Sequence, residues 1–251
     1  SNGEQITYSG HGYRESIFYP VTTTGYYYIK VSVGVHSCLI YNLEVNWGPG
    51  ANTGAFTDYR DNKVYQWVYI GTQFWMAENL NVGTRINGSQ DQTDNGTIQK
   101  YCYNDSESNC TTYGGLYQWD EMMQYSTYET ATGVCPEFWH VPSDAEWTIL
   151  TTHLGGIDVA GGKMKEAGTM HWTSPNEPPA TNESGFTGLP GSYRSQSTGL
   201  FVNFGTYALF WSSTEYDATT AWGRGLYNLD GTVYVYSYPK GHGFSVRCIK
   251  D

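Results

Sequence analysis

The stretch PSDAEWTILTTHLGG, residues 142–156, carries the clearest single element of the chain. Ser143 and Glu146 stand at the S-x-x-E spacing of a capping box, in which each side chain satisfies a free amide at a helix start. Trp147, Leu150 and Leu154 follow as an apolar stripe at helical spacing, and Gly155-Gly156 supplies the stop. Upstream, GGLYQWDEMMQYSTYE (114–129) predicts a second helix, with Leu116, Trp119, Met122 and Met123 on its core side. After residue 170 the pattern changes to Gly, Pro, Asn and Ser punctuation between short β-like runs. Two helices followed by loops and strands place this part of the chain in the α+β class.

The strand pattern is sharpest near the end, in TVYVYSYPKGHGFSVRC (232–248). A period of two sets Tyr234, Tyr236 and Tyr238 on one face of a strand and Val233, Val235 and Ser237 on the other. Two valines make a better core than three phenols with hydroxyls to satisfy, so the expectation is valines inward and tyrosines in solvent. At the other end, YYYIKVSVG (26–34) and LIYNLEVNW (39–47) alternate in the same way, and GPGANTG (48–54) reads as a linker. The expected organisation is a small all-β segment over 1–50, a linker over 51–56, and the α+β domain over 57–251.

Composition excludes several functions. The 251 residues carry a formal charge of −11 with 13 Lys and Arg, which argues against nucleic acid and against a polybasic membrane contact. No apolar run is long enough to span a bilayer. No signal peptide opens the chain, and Ser1-Asn2-Gly3 reads as a cloning scar, so a leader is expected upstream in the natural protein. The 23 tyrosines are the oddity: Tyr suits strands, and it also suits binding surfaces, because it offers large contact area and a polar tip at little entropic cost.

The five cysteines, Cys38, Cys102, Cys110, Cys135 and Cys248, form no CxxC pair, which argues against zinc. Cys102 and Cys110 bracket a polar loop, CYNDSESNC, that a disulfide would staple with about 2–3 kcal/mol. Cys135 and Cys248 would close a far longer loop, for about 4–5 kcal/mol, leaving Cys38 over. Two bridges imply an oxidising compartment; buried thiols in a cytosolic protein are the alternative.

Eight segments then occur in order: WMAENL (75–80), YCYND (101–105), YGGLYQWDEMM (113–123), GVCPEFWHVPSDAEW (133–147), AGGKMKE (160–166), TNESGFTGLPGSYR (181–194), FWSSTE (210–215) and GFSVRC (243–248). Through them the chain resembles a Fibrobacter succinogenes major paralogous domain across about 57–251. The resemblance implies a C-type lectin-like fold of two helices, small antiparallel sheets and long loops, with Cys135 near Cys248. It also implies a secreted or surface-exposed bacterial protein.

No enzyme comes with it. Copper oxidases that share the fold need a cysteine pair near the C-terminus, and only Cys248 stands there. No HExxH and no Ser/His/Asp order is visible. His140 and His171 lie beside tryptophans and read as structural. Asp120, Glu121, Glu146 and Glu183 lie in the matching segments, but nothing in the sequence sets the separation that a glycosidase pair requires. SPNEPP (174–179) has the letters but not the motif of lectin calcium sites, and SQDQTDNG (89–96) lacks EF-hand spacing, so no metal and no cofactor is expected.

A second resemblance concerns residues 193–247. In some C-type-lectin-fold proteins this segment is rewritten by a diversity-generating retroelement, and the residue types here are those that such rewriting produces. The expected ligand-binding set is Tyr207, Tyr216, Asp217, Trp222, Arg224, Tyr227, Asn228, Tyr234, Tyr236, Tyr238 and His242. The expected function is extracellular adhesion to a cell-surface protein or glycan receptor, on a bacterium or a phage tail. The alternatives are a glycan-binding or glycan-processing accessory module of a secreted enzyme, and a structural surface protein. Neither nucleic acid nor direct membrane insertion is expected, and the sequence leaves the oligomeric state open.

Overall fold

A computed structural model describes residues 52–251. The chain divides into two units, Ser1–Gly50 and Ala51–Asp251. The strands read in 26–47 and the leftover Cys38 lie outside the described residues.

The second unit opens with β1 (Thr53–Asp58), β2 (Lys63–Ile70) and β3 (Gln73–Met76), followed by the short β4 (Thr84–Arg85) and β5 (Gln99–Lys100). Next come α1 (Glu107–Tyr113), β6 (Leu116–Tyr117), α2 (Trp119–Met122), β7 (Trp139–His140), α3 (Asp144–His153) and α4 (Ile157–Met164). The remainder is β8 (Tyr193–Arg194), β9 (Phe201–Val202), β10 (Tyr207–Glu215), β11 (Thr220–Tyr227), β12 (Val233–Pro239), β13 (Phe244–Ser245) and β14 (Ile249–Lys250). One five-stranded sheet has the order β1-β2-β3-β14-β7 and the other β12-β11-β10-β13-β6, so the α+β class holds.

Two hydrophobic cores form, and β10 lies between them. Leu209 and Trp211 enter one core with Trp67, Trp119, Met122 and Phe244, whereas Ala208 and Phe210 enter the other with Trp147, Leu150, Leu226 and Val233. A strand buried on both faces needs a near-continuous apolar run, and ALFW (208–211) is one. In β2 the buried side switches in mid-strand: Tyr65 and Trp67 belong to the first core, Val68 and Ile70 to the second.

The capping box is present: Ser143 Oγ accepts from the Glu146 amide, and the Glu146 carboxylate accepts from the Ser143 amide at 2.8 Å. Trp147 and Leu150 are fully buried, and α3 stops before Gly155, whose φ of 103° suits glycine. Both disulfides are formed, Cys102–Cys110 and Cys135–Cys248.

Three expectations are corrected. The helix read over 114–129 is a single turn, α2, because Leu116 and Tyr117 pair instead as β6 with β13. Among the described residues four α-helices replace the expected two. The linker read over 51–56 becomes strand from Thr53 onward, with Gly54 opposite Trp67 in β2.

Buried cations join the segments. Arg247 is 1 % exposed; it donates to the Asn79 side chain at 2.6 Å and to the carbonyls of Met76 and Thr187 at 2.9 Å, and it lies 4.3 Å over the Phe186 ring. Lys165 is fully buried, and its ammonium donates to the carbonyls of Glu177, Tyr227 and Asp230, each at 2.8 Å. Burial pulls its pKa down to about 8, against the opposing pull of Asp230 and Glu177. This single ammonium holds the end of β11, the turn into β12 and the 173–178 loop together.

Candidate functional site

The site is built by the register of three strands. Tyr234, Tyr236 and Tyr238 of β12 lie opposite Gly225, Gly223 and Ala221 of β11. Gly225, Gly223 and Tyr227 lie in turn opposite Leu209, Trp211 and Tyr207 of β10. Successive residues of a strand point to opposite faces, so these residues share one face of the sheet. From Ala221 to Gly225 the middle strand offers only small side chains there, and the tyrosines of β12 lie over that floor.

The rings pack on one another. Tyr207 and Tyr227 stack with centroids 4.4 Å apart, and Tyr234 and Tyr236 are near-parallel at 6.0 Å. Tyr238 meets Tyr236 edge-on at 6.2 Å and turns inward onto Phe244 at 5.0 Å and Trp211 at 6.5 Å. Tyr193 of β8 closes one side of the patch, edge-on to His242 at 5.6 Å. His242 is stacked on Phe244, and its Nδ1 accepts the Gln196 amide at 3.1 Å.

The tyrosine rings of the face are neutral, and the Asp230 carboxylate lies at its margin, bonded to Tyr234. Burial lowers the His242 pKa, with the backbone of Arg194 pulling it up and the Arg194 charge pushing it further down. Tyr238 is pushed up to about 12, first by burial and then by Tyr236, Tyr207 and Tyr193. Tyr234 is also pushed up to about 12, by the hydrogen bond that it donates to Asp230 at 2.7 Å.

The eleven residues expected to bind ligand do not form one surface. Tyr207, Tyr227, Tyr234, Tyr236, Tyr238 and His242 come together on the aromatic face. Tyr216 and Asp217 lie in the β10–β11 turn, where Asp217 accepts from the amides of Thr219 and Thr220 at 2.8 Å. Trp222 points to the opposite face and meets Tyr216 edge-on at 5.0 Å.

Two of the eleven are buried, which corrects the expectation that they project beside the tyrosines. Arg224 is 2 % exposed and faces α3, where its guanidinium lies 2.7 Å from the Asp144 carboxylate in an ionic contact out of hydrogen-bond alignment. Asn228 is 4 % exposed and donates to the carbonyls of Thr173 at 3.0 Å and Pro175 at 3.3 Å. The tyrosine row is also graded rather than uniformly exposed: Tyr236 is 55 % exposed, whereas Tyr234 and Tyr238 are half-buried. On the inner face Val233 is fully buried, but Val235 is only half-buried.

Sequence reasoning missed Tyr193, which sits two residues from a family-like glycine and gave no periodic signal. It also missed Lys165, which reads as an ordinary surface lysine.

The carboxylates are occupied elsewhere. Glu121 is 1 % exposed and accepts from the Gln99 amide at 2.7 Å and the Tyr125 hydroxyl at 2.8 Å; burial raises its pKa. Glu146 serves the α3 cap and His140. Glu183 pairs with Lys163 at 3.0 Å. Among the described residues no group of three or more His, Cys, Asp or Glu is gathered as for a metal. Two shallow clefts, of about 410 and 450 Å³, lie near Lys100 and near His153, and no ring of the aromatic face lines either.

An α+β domain with an aromatic sheet face is thus the class that the geometry defines. The model of the Fibrobacter succinogenes major domain matches residues 68–250, and the chain belongs to that family. No curated protein and no solved structure matches the chain.

Proposed function

We propose that this is a non-catalytic, extracellular binding protein of C-type lectin-like fold, which engages a cell-surface receptor through the aromatic face of β10, β11 and β12. The observation that carries this reading is the partly exposed cluster of Tyr193, Tyr207, Tyr227, Tyr234, Tyr236 and Tyr238, with Tyr236 its most exposed ring, beside a floor of glycine and alanine. Aromatic rings held this way contribute contact area with little entropy left to lose, and a monomeric protein rarely keeps such a patch without a use.

The two disulfides are compatible with an oxidising exterior, and among the described residues no helix is long and apolar enough to cross a membrane. The reading extends to diversification of residues 193–247. Phe210, Trp211 and Cys248 would be the fixed, buried frame, and the exposed tyrosines the variable positions.

The receptor is a protein or a glycan. The test is binding of the full chain to a glycan array, and to intact cells before and after protease treatment. Saturable binding in either format supports the reading, and protease sensitivity assigns the receptor to protein. Absence of binding in both contradicts the reading.

A further inference from the structure

The free edge of β12 adds a main-chain site to the aromatic face. β12 ends its sheet, and among the described residues no strand pairs with its outer side. Which of its amides point outward follows from the register. The Lys240 amide donates to the Thr219 carbonyl at 3.0 Å, so positions of that parity bond inward to β11. Tyr238, Tyr236 and Tyr234 share the parity. Val233, Val235, Ser237 and Pro239 occupy the intervening, non-bonded pairs, and their main-chain groups face away from the sheet. Pro239 fits that assignment, since a proline has no amide to lose at an outward position.

The edge is open over a short window. At one end the Gly161 amide of α4 donates to the Gly231 carbonyl, and Gly161 packs against the Thr232 carbonyl. At the other end Pro239 lacks a donor. Between them lie the N–H and C=O groups of Val235 and Ser237, on residues that are half-buried. The strand VYVYSYP carries no Lys, Asp or Glu, the charges with which proteins ordinarily guard an exposed edge.

The tyrosines beside this window turn their faces to one another: Tyr207 to Tyr227, Tyr234 to Tyr236, and Tyr236 to the edge of Tyr238. Stacking of a sugar ring needs an open aromatic face. Packed rings instead offer edges and hydroxyls, which suit polypeptide side chains.

We infer that the partner is a protein that offers an extended, uncharged segment, which pairs with the outward main chain of Val235 and Ser237 as an added strand while its side chains lie against Tyr234, Tyr236 and Tyr238. This rests on the aromatic-face reading above and narrows its receptor to polypeptide. Main-chain pairing supplies affinity in such an arrangement, and the alternate side chains supply selectivity.

The test uses the full chain and a phage-displayed library of linear peptides, with Ser237→Pro, Val235→Pro and Tyr236→Ala compared with the wild type. Each proline removes one outward donor and no inward ladder bond, so both proline variants should melt as the wild type does. Selected peptides should be uncharged, and their affinity should fall about tenfold or more on each proline variant and on Tyr236→Ala. Peptides that bind both proline variants undiminished overturn the inference; if Tyr236→Ala alone weakens them, the aromatic-face reading survives without it. Loss on the proline variants with none on Tyr236→Ala leaves the edge site standing and removes the aromatic face. Enrichment of no peptide, or unfolding of both proline variants, also overturns the inference. Concentration-dependent dimerisation of the wild type that Ser237→Pro abolishes would give the edge to a second copy and overturn it likewise.

Discussion

The Tyr238 ring lies across Gly223: a Cβ added to that glycine would come within 3.0 Å of the ring's Cδ2 and 3.1 Å of the Phe210 carbonyl oxygen. The flat floor of the aromatic face depends on this missing side chain. Gly223→Val should therefore destabilise the domain by about 1–3 kcal/mol, because backbone on one side and a packed ring on the other leave no room to yield. Urea denaturation checks it; a variant as stable as the wild type would show that the ring is not seated there.

The graded exposure of the tyrosine row separates stability from binding. Tyr236→Ala should shift the melting temperature little, whereas Tyr238→Ala should cost roughly 2–3 kcal/mol, since its ring packs on Trp211 and Phe244. Val233→Asp should prevent folding by leaving an unpaired charge in the core, and Val235→Asp should cost distinctly less, since Val235 is only half-buried. Thermal melts of the four variants decide the order.

Stability should vary with pH through His140, whose Nε2 lies 2.9 Å from Glu146 Oε1 and whose Nδ1 lies 2.6 Å from Asp251 Oδ1. Burial opposes the charged ring, but the hydrogen bonds and charges of Glu146 and Asp251 outweigh it and raise the His140 pKa above its ordinary 6.5. That stabilisation is complete below 6.5 and is lost as pH rises through the folded value. Burial raises the Glu146 pKa, but the contacts with His140 and Ser143 outweigh it and leave the pKa below 4.5, so its stabilisation is present above 4.5 and is lost as pH falls through the folded value. The melting temperature should peak between these limits and fall toward pH 8, a limb that His140→Gln should flatten. An unchanged alkaline limb in the variant would contradict this account.

The two bridges leave one cysteine of five, so thiol titration of the denatured, unreduced chain should find a single free thiol, Cys38. Cys135–Cys248 closes a separation of 113 residues, and its reduction should cost about 4–5 kcal/mol on the chain-entropy model. Five free thiols would remove the case for an oxidising compartment.

Local signals made part of this legible. Ser143 and Glu146 announce α3, because a capping box is complete within four residues, and the alternation from Val233 to Tyr238 announces β12 with its two faces. Long-range partners were not legible. The run 114–129 has helical spacing, but Leu116 and Tyr117 find strand partners more than a hundred residues away. Arg224 reads as an exposed strand residue until Asp144, eighty positions earlier, comes beneath it. Lys165 gives no sign that three carbonyls from remote segments converge on it. The aromatic face is likewise half legible: periodicity marks the row on β12, while its glycine floor and Tyr193 emerge only from the register of neighbouring strands.

The central claim is that the aromatic face binds a receptor, and the most direct measurement is saturable binding of the labelled full chain to a panel of bacterial and animal cells. The Tyr234→Ala/Tyr236→Ala double variant is measured beside the wild type. The account predicts saturable binding to at least one cell type, weakened about tenfold or more by the double substitution while the variant still melts cooperatively as a folded domain. Equal binding by the two proteins, or no saturable binding by the wild type, would contradict it.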